Sequence, residues 1–362
     1  MVFLFTDGEE QGLLGAAKYV ENHPDMAART RLVVNLEARG NRGGLVMFET
    51  SPNNLEAVRT FARSAHHPIG FSFAAAVYRI MKNDTDLSMF MAAGYPGLNF
   101  AVVDGVEVYH TEEDNYQTFD RASAHHYLRT VSSLVQHFST QETLDMQADQ
   151  DAVFFPLLPG QLVVMPQSLS NTLGILTFLL FSAFLVWTLQ QGQAAWRPML
   201  LAAGKQLLLI GLSAGLSLLI TKLINDAQSM EDFLHMLRSG MDWLYFLLLL
   251  AVYCVLAVLL YKRSPQEGTA LSTALGVLLV PALLIVCTVL LFPSASYLFW
   301  LPVLMALMVL PAKPAHHTGI PQGLLIGLIL LLYVPVVCLV FIALGLTNAH
   351  LSLGMAMIPL TI

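Results

Sequence analysis

The sequence predicts an α/β soluble domain, a mostly parallel sheet with flanking helices and incomplete at its N-terminus, followed by an all-α multi-span transmembrane domain. Three observations carry this expectation. Charge is unevenly spread: of the 18 Lys+Arg and 25 Asp+Glu among 362 residues, 11 and 19 lie within residues 1–150. The remainder is nearly free of charge and lifts the mean hydropathy to +0.62, the composition of helices that face lipid. The first 140 residues, by contrast, alternate short β-branched or aromatic runs with stretches of helical periodicity. Those runs are apolar on both faces, as buried parallel strands are.

In order, VFLFT (2–6) reads as a strand and Gly12 to His23 as a helix, with apolar residues at 13, 14, 16, 17 and 20. RLVVNLEA (31–38) and GLVMFE (44–49) read as two more strands joined by a Gly-rich turn. Asn53 to Ala65 has helical spacing, with Ser51 or Asn53 as its cap. Thr85 to Ala93 is a short helix, GLNFAVV (97–103) a buried strand and Ala122 to Thr140 a closing helix. Residues 1–142 are thus expected to form the soluble domain and 143–170 a linker rich in Gln, Asp and Pro.

Residues 171–362 hold about six stretches long enough to span a bilayer: 171–190, 198–221, 243–261, 270–292, 295–312 and 321–346. A further apolar stub covers 351–362. Loop charges orient them. With the soluble domain on the non-cytoplasmic side, the inner loops carry Arg197, Lys262, Arg263 and Lys313, and the outer ones only Lys222 and Arg238. The expected location is an integral multi-pass membrane protein with its soluble domain periplasmic, extracellular or lumenal, and the lipid bilayer as one partner. Nucleic acid is excluded as a partner, because a net charge of −7 offers no basic footprint. Cys254, Cys287 and Cys338 all fall in apolar segments and read as packing residues.

In parallel sheets the working residues collect where strands end. Glu9 and Glu10 follow VFLFT, Glu37 ends VVNLE, and His110 follows the GLNFAVV strand. Neighbours at a strand end point in different directions, so one carboxylate of Glu9-Glu10 can bind a metal while the other stays free to move a proton. Carboxylate and imidazole ligands suit zinc. Glu37 could instead pair with Arg39 or Arg42, Asp114 could orient a ligand or be a surface charge, and Tyr109 could be packing. His23, His66, His67, His125, His126 and His137 read as structural or exposed.

FTDGEEQGLLGA, NLEARG, NDTDLSMF and PGLNFAVVDGVEVYHTEEDN together resemble the zinc-dependent aminopeptidase family, which includes bacterial leucyl aminopeptidases and has glutaminyl cyclases as relatives. The match is to its membrane branch, which resembles the endoplasmic-reticulum and vacuolar multi-span metallopeptidases. The resemblance covers about residues 2–120. It implies a hydrolase that cleaves N-terminal residues from peptide substrates with metal-activated water. Glu9 would be the general base, and Glu10, Glu37 and His110 metal ligands for one or two zinc ions. Tyr109 would stabilise the oxyanion as a catalytic residue, and Asp84 and Asp86 of NDTD would at most stand behind the ligands, a place Asp114 could also take. The family also places a His-x-Asp histidine and a metal-bridging aspartate upstream of the Glu-Glu pair. Eight residues precede Glu9 here, so the chain is read as N-terminally truncated. Alternatives from other classes are a glutaminyl cyclase-like acyl transferase and a non-catalytic membrane scaffold.

Overall fold

The computed structural model describes residues 1–80, 83–140, 146, 148–226, 242–262, 270–310, 333–334 and 337–338. The chain divides into two compact units: Met1–Ser170 with Phe292–Ala295, and Asn171–Leu291 with the residues from Ser296 onward.

The first unit is built on a four-stranded sheet of order β1-β4-β2-β3, where β1 is Val33–Ala38, β2 Arg42–Thr50, β3 Ile69–Gly70 and β4 Gly97–Asp104. Its helices are α1 (Leu14–Asn22), α2 (Leu55–Ser64), α3 (Ser72–Tyr78), α4 (Asp86–Ala92) and α5 (Arg121–Thr140). The sheet is mixed: two of its three pairings, β1 with β4 and β2 with β3, are parallel, and one is antiparallel. β4 runs parallel to β1 but antiparallel to β2, with Val34 opposite Leu98 and Val46 opposite Ala101. The reason is the short turn between β1 and β2. It reverses the chain directly, whereas a parallel neighbour needs a long crossover.

The central strand β4 sorts the two faces. Leu98, Phe100 and Val102 point into a core with Val58 and Phe61 of α2, Leu134 of α5 and Met47 of β2. The Phe61 and Phe100 rings pack 5.0 Å apart between centroids with their planes tilted by 60°. A second apolar cluster, Ala16, Leu87, Phe90 and Tyr95, joins α1 to α4 and packs against Val33 of β1. Asn99, fully buried, points to this second face, and the site is assembled there.

VFLFT does not form a strand. Residues 1–8 carry no regular structure, and Phe5 is 94% exposed. The β-branched and aromatic run has the propensity but no hydrogen-bonding neighbour, and β1 pairs only with β4 among the described strands. The cap of α2 is Asn54, one residue after Asn53 and three after Ser51, and Asn53 takes a left-handed backbone instead. Asn54 uses its amide across the fold: Nδ2 donates to Thr50 Oγ1 at 2.7 Å, and Oδ1 accepts from Ala152 N–H at 2.7 Å. The stretch read as a linker contains a hairpin, β5 (Ala152–Leu158) and β6 (Gln161–Pro166), whose Val153, Phe154 and Phe155 are buried.

The second unit is helical: α6 (Gln167–Gln190), α7 (Trp196–Asp226), α8 (Asp242–Lys262), α9 (Ala270–Leu291) and α10 (Tyr297–Val309). By length and composition, Gln167–Gln190, Trp196–Leu216 and Ala270–Leu291 can cross a membrane, while Leu250–Leu260 and Tyr297–Val309 are shorter apolar helices. The expected span at 321–346 and the stub at 351–362 lie outside the described residues, apart from four positions.

Candidate metal centre

β1 and β4 are parallel neighbours, so their carboxyl ends open at the same edge of the sheet, with Glu37 opposite Ala101. Three other elements converge on that edge. The first is the turn before α1, which carries Glu9 and Glu10. Its shape is set by backbone bonds from Gly12 and Leu13 N–H to Glu9 C=O, at 3.1 and 2.8 Å, and from Gly15 N–H to Asp7 C=O at 2.9 Å. Gly15 lets Asp7 lie directly on α1. A Cβ there would sit 2.6 Å from Asp7 N and 2.7 Å from its O, closer than atoms approach without displacement. The second element is the loop after β4, which delivers Tyr109 and His110, and the third is the start of α4, which delivers Asp86. Leu13 and His110 both hold left-handed backbones (φ 61° and 59°), local strain of the kind that collects at working sites.

His110 Nε2 lies 2.7 Å from Glu10 Oε1, and both side chains are more than half exposed. The Tyr109 ring stacks on the imidazole with centroids 3.8 Å apart and planes 22° apart. Burial raises the Tyr109 hydroxyl above its ordinary pKa, and Glu10 and Glu9 add to the effect while Arg39 opposes it. Glu9 is raised as well, by burial first, then by the charges of Glu10 and Asp86, with His110 opposing. Glu37 is the most perturbed: burial, reinforced by Glu9, Asp86 and Glu10, pushes its carboxyl up to about 7 against a hydrogen bond from Asn35. Like charges crowded in a half-buried place raise one another's pKa. Among the described ion pairs none joins Glu37 to Arg39 or Arg42, and Arg42 pairs with Asp104 at 3.4 Å.

The structure therefore brings Glu9, Glu10, Glu37, Tyr109 and His110 to one edge. Among the described contacts none joins Asp84 or Asp114 to the ligands. Asp84 is exposed, its charge felt by Glu49 and Tyr78, and Asp114 is exposed in the turn that follows His110, whose described bond goes to Glu10. The buried carboxylate is Asp86, two residues on from Asp84. It accepts a bond from Thr6 Oγ1 through Oδ2, and its Oδ1 has no partner. Alternation along the chain carries the signal that separates them, since Asp86 opens the apolar face of α4 with Leu87 and Phe90. Tyr127, outside the expected set, donates its hydroxyl to the Glu37 carbonyl. His126 is structural: Nδ1 accepts from Leu45 N–H at 3.0 Å, and Nε2 faces the His66 and His67 carbonyls.

Among the described residues no three His, Cys, Asp or Glu side chains close around one point. The donor set nonetheless fits a divalent cation chemically. Glu10 and His110 offer adjacent oxygen and nitrogen, and the mutual repulsion of Glu9, Glu37 and Asp86 is what a bound cation would relieve.

Residues 1–135 match peptidase family M28. The chain is similar to endoplasmic reticulum metallopeptidase 1 of Mus musculus, 31% identical over 173 residues, 45% of this chain and 19% of that protein. It is similar also to putative endoplasmic reticulum metallopeptidase 1-B of Caenorhabditis elegans, 28% over 183 residues, 49% and 20%. The vacuolar membrane protease of Saccharomyces cerevisiae is 30% identical over 161 residues, 44% and 16%. The matched stretch thus spans a fifth or less of each of these proteins. No solved structure matches the chain.

Proposed function

We propose that the chain is a membrane-anchored zinc metallopeptidase, an aminopeptidase that removes N-terminal residues from peptides on the non-cytoplasmic side of its membrane. The observation that carries this reading is the Glu10–His110 pair, set beside the raised carboxyls of Glu9 and Glu37 at one sheet edge of an M28 domain. Residues 1–142 would be the peptidase domain and 171–362 a membrane domain of about six spans, oriented by the basic residues at Arg197, Lys262, Arg263 and Lys313.

Glu10 and His110 would hold one zinc ion and Glu37 a second. When bound, zinc supplies Lewis acidity, lowering the pKa of a water and polarising the scissile carbonyl. The protein's own groups do the rest. Glu9, left without a described ligand partner and with raised basicity, takes the water's proton on its carboxylate and returns it to the leaving amine. Tyr109 keeps its proton at neutral pH, so its O–H can donate to the oxygen that gains charge.

The test uses the full chain in detergent with added zinc, offered leucine amide and a peptide beginning with glutamine. Release of leucine that a chelator stops is expected. Cyclisation of the glutamine without leucine release would move the reading to an acyl transferase, and neither reaction would overturn it.

A further inference from the structure

A buried polar chain crosses the sheet from the site to a carboxylate with no place in the chemistry above. Asn35 and Glu37 occupy alternate positions of β1 and share a face; Asn99 of β4 stands opposite Asn35, and Glu49 of β2 stands opposite Asn99. Asn35 Nδ2 donates to Glu37 Oε1 at 2.9 Å and to Asn99 Oδ1 at 3.0 Å. Asn99 Nδ2 donates to Glu49 Oε2 and to Thr85 Oγ1, each at 2.8 Å. Asn99 is fully buried and Glu49 is 6% exposed.

Glu49 reaches this face only because β2 is irregular. Leu45 and Met47 point into the opposite core, and strict alternation would send residue 49 after them. The register against β4 shifts between Met47 and Glu49, so Glu49 rather than Phe48 pairs with Asn99. One extra residue re-aims the side chain, as bulges do.

The chain of bonds has a fixed polarity. A carboxylate only accepts, so Glu49 requires the NH₂ side of Asn99 to face it. That turns the Asn99 carbonyl toward Asn35 and obliges Asn35 to present its NH₂ both to Asn99 and to Glu37. A reversed Asn99 would set oxygen against oxygen at one end and NH₂ against NH₂ at the other. We infer that Glu49 is a positioning residue for Glu37, acting through Asn99 and Asn35 to hold a donor on Glu37 Oε1 and leave Glu37 Oε2 as its open ligand atom. The inference rests on the reading of Glu37 as a metal ligand, and it identifies what orients that ligand from behind.

The substitution Glu49→Gln keeps shape but lets Asn99 sit either way. In the metal-free full chain labelled with ¹⁵N-asparagine, the Asn35 side-chain NH₂ signals should shift or split, while the unfolding temperature does not fall because position 49 no longer buries a carboxylate. Zinc affinity by titration should drop about tenfold. Asn99→Asp, which sets carboxylate against carboxylate, should move both readouts further, and adding Glu49→Gln to it supplies a donor and should restore them. Unchanged Asn35 signals in Glu49→Gln, or no recovery in the double variant, would overturn the inference. Wild-type protein that takes up no zinc would overturn the metal reading instead, and the Asn35 signals would still decide the orientation.

Discussion

Replacing Glu37 with Gln should make the metal-free domain more stable at pH 8 and leave it unchanged at pH 4. Folding raises the Glu37 carboxyl from 4.5 to about 7, with burial as the main cause. A carboxyl raised in the folded state carries no penalty below its unfolded pKa. The penalty grows as pH rises between the two values and is complete above the folded one. The full interval corresponds to about 3 kcal/mol, and screening at this half-exposed position reduces it to about 1–2 kcal/mol. Glutamine keeps an oxygen to accept from Asn35 and never ionises. All four tryptophans lie in the second half of the chain, so fluorescence would report the wrong unit. Hydrogen exchange of the β4 amides, Gly97–Asp104, reports the right one. Compared with wild type at the same pH and without metal, their protection should rise about 5- to 30-fold at pH 8. Equal gains at both pH values, or a loss at pH 8, would refute the argument that the site crowds an ionised carboxylate at the expense of stability.

Three further outcomes follow from the same geometry. If Glu9 moves the proton and holds no metal, as proposed, Glu9→Gln should lower zinc-dependent leucine amide hydrolysis by about 10²- to 10⁴-fold with zinc affinity nearly unchanged; kinetics and zinc titration on one preparation check both halves. Gly15→Ala should push Asp7 off α1 and cost about 1–3 kcal/mol, read as lost exchange protection in Leu14–Asn22. Phe100→Ala, which empties the contact with Phe61 in the core, should cost about 3–5 kcal/mol, read as lost exchange protection across β4 in denaturant.

How much of this was legible in the sequence depends on whether the signal is local. Glu9-Glu10, Glu37 and His110 stand out because each follows an apolar run, and strand ends are where a sheet exposes chemistry. The helices near 14–22, 55–64, 86–92 and 121–140 follow from periodicity alone. Strand direction is another matter. Whether β2 pairs with β1 or lies beyond β4 depends on partners far along the chain, and apolar content on both faces does not separate a parallel strand from a central one in a mixed sheet. VFLFT has strand propensity that only a neighbour could turn into structure. The hairpin of 152–166 hides among Pro and Gln because its burial comes from α2 and β3, not from its own pattern. Glu49 was illegible for a sharper reason: the irregularity in β2 inverts which face residue 49 occupies, so strict alternation assigns it to the wrong side.

The central claim is that Glu10, Glu37 and His110 are zinc ligands. Equilibrium dialysis of the full chain against buffered zinc, with the bound metal counted by mass spectrometry, tests it directly. One or two zinc ions per wild-type chain are expected, and at least tenfold weaker uptake in Glu10→Gln, Glu37→Gln and His110→Ala. Zinc uptake indifferent to all three substitutions, or absent from the wild-type chain, would contradict it.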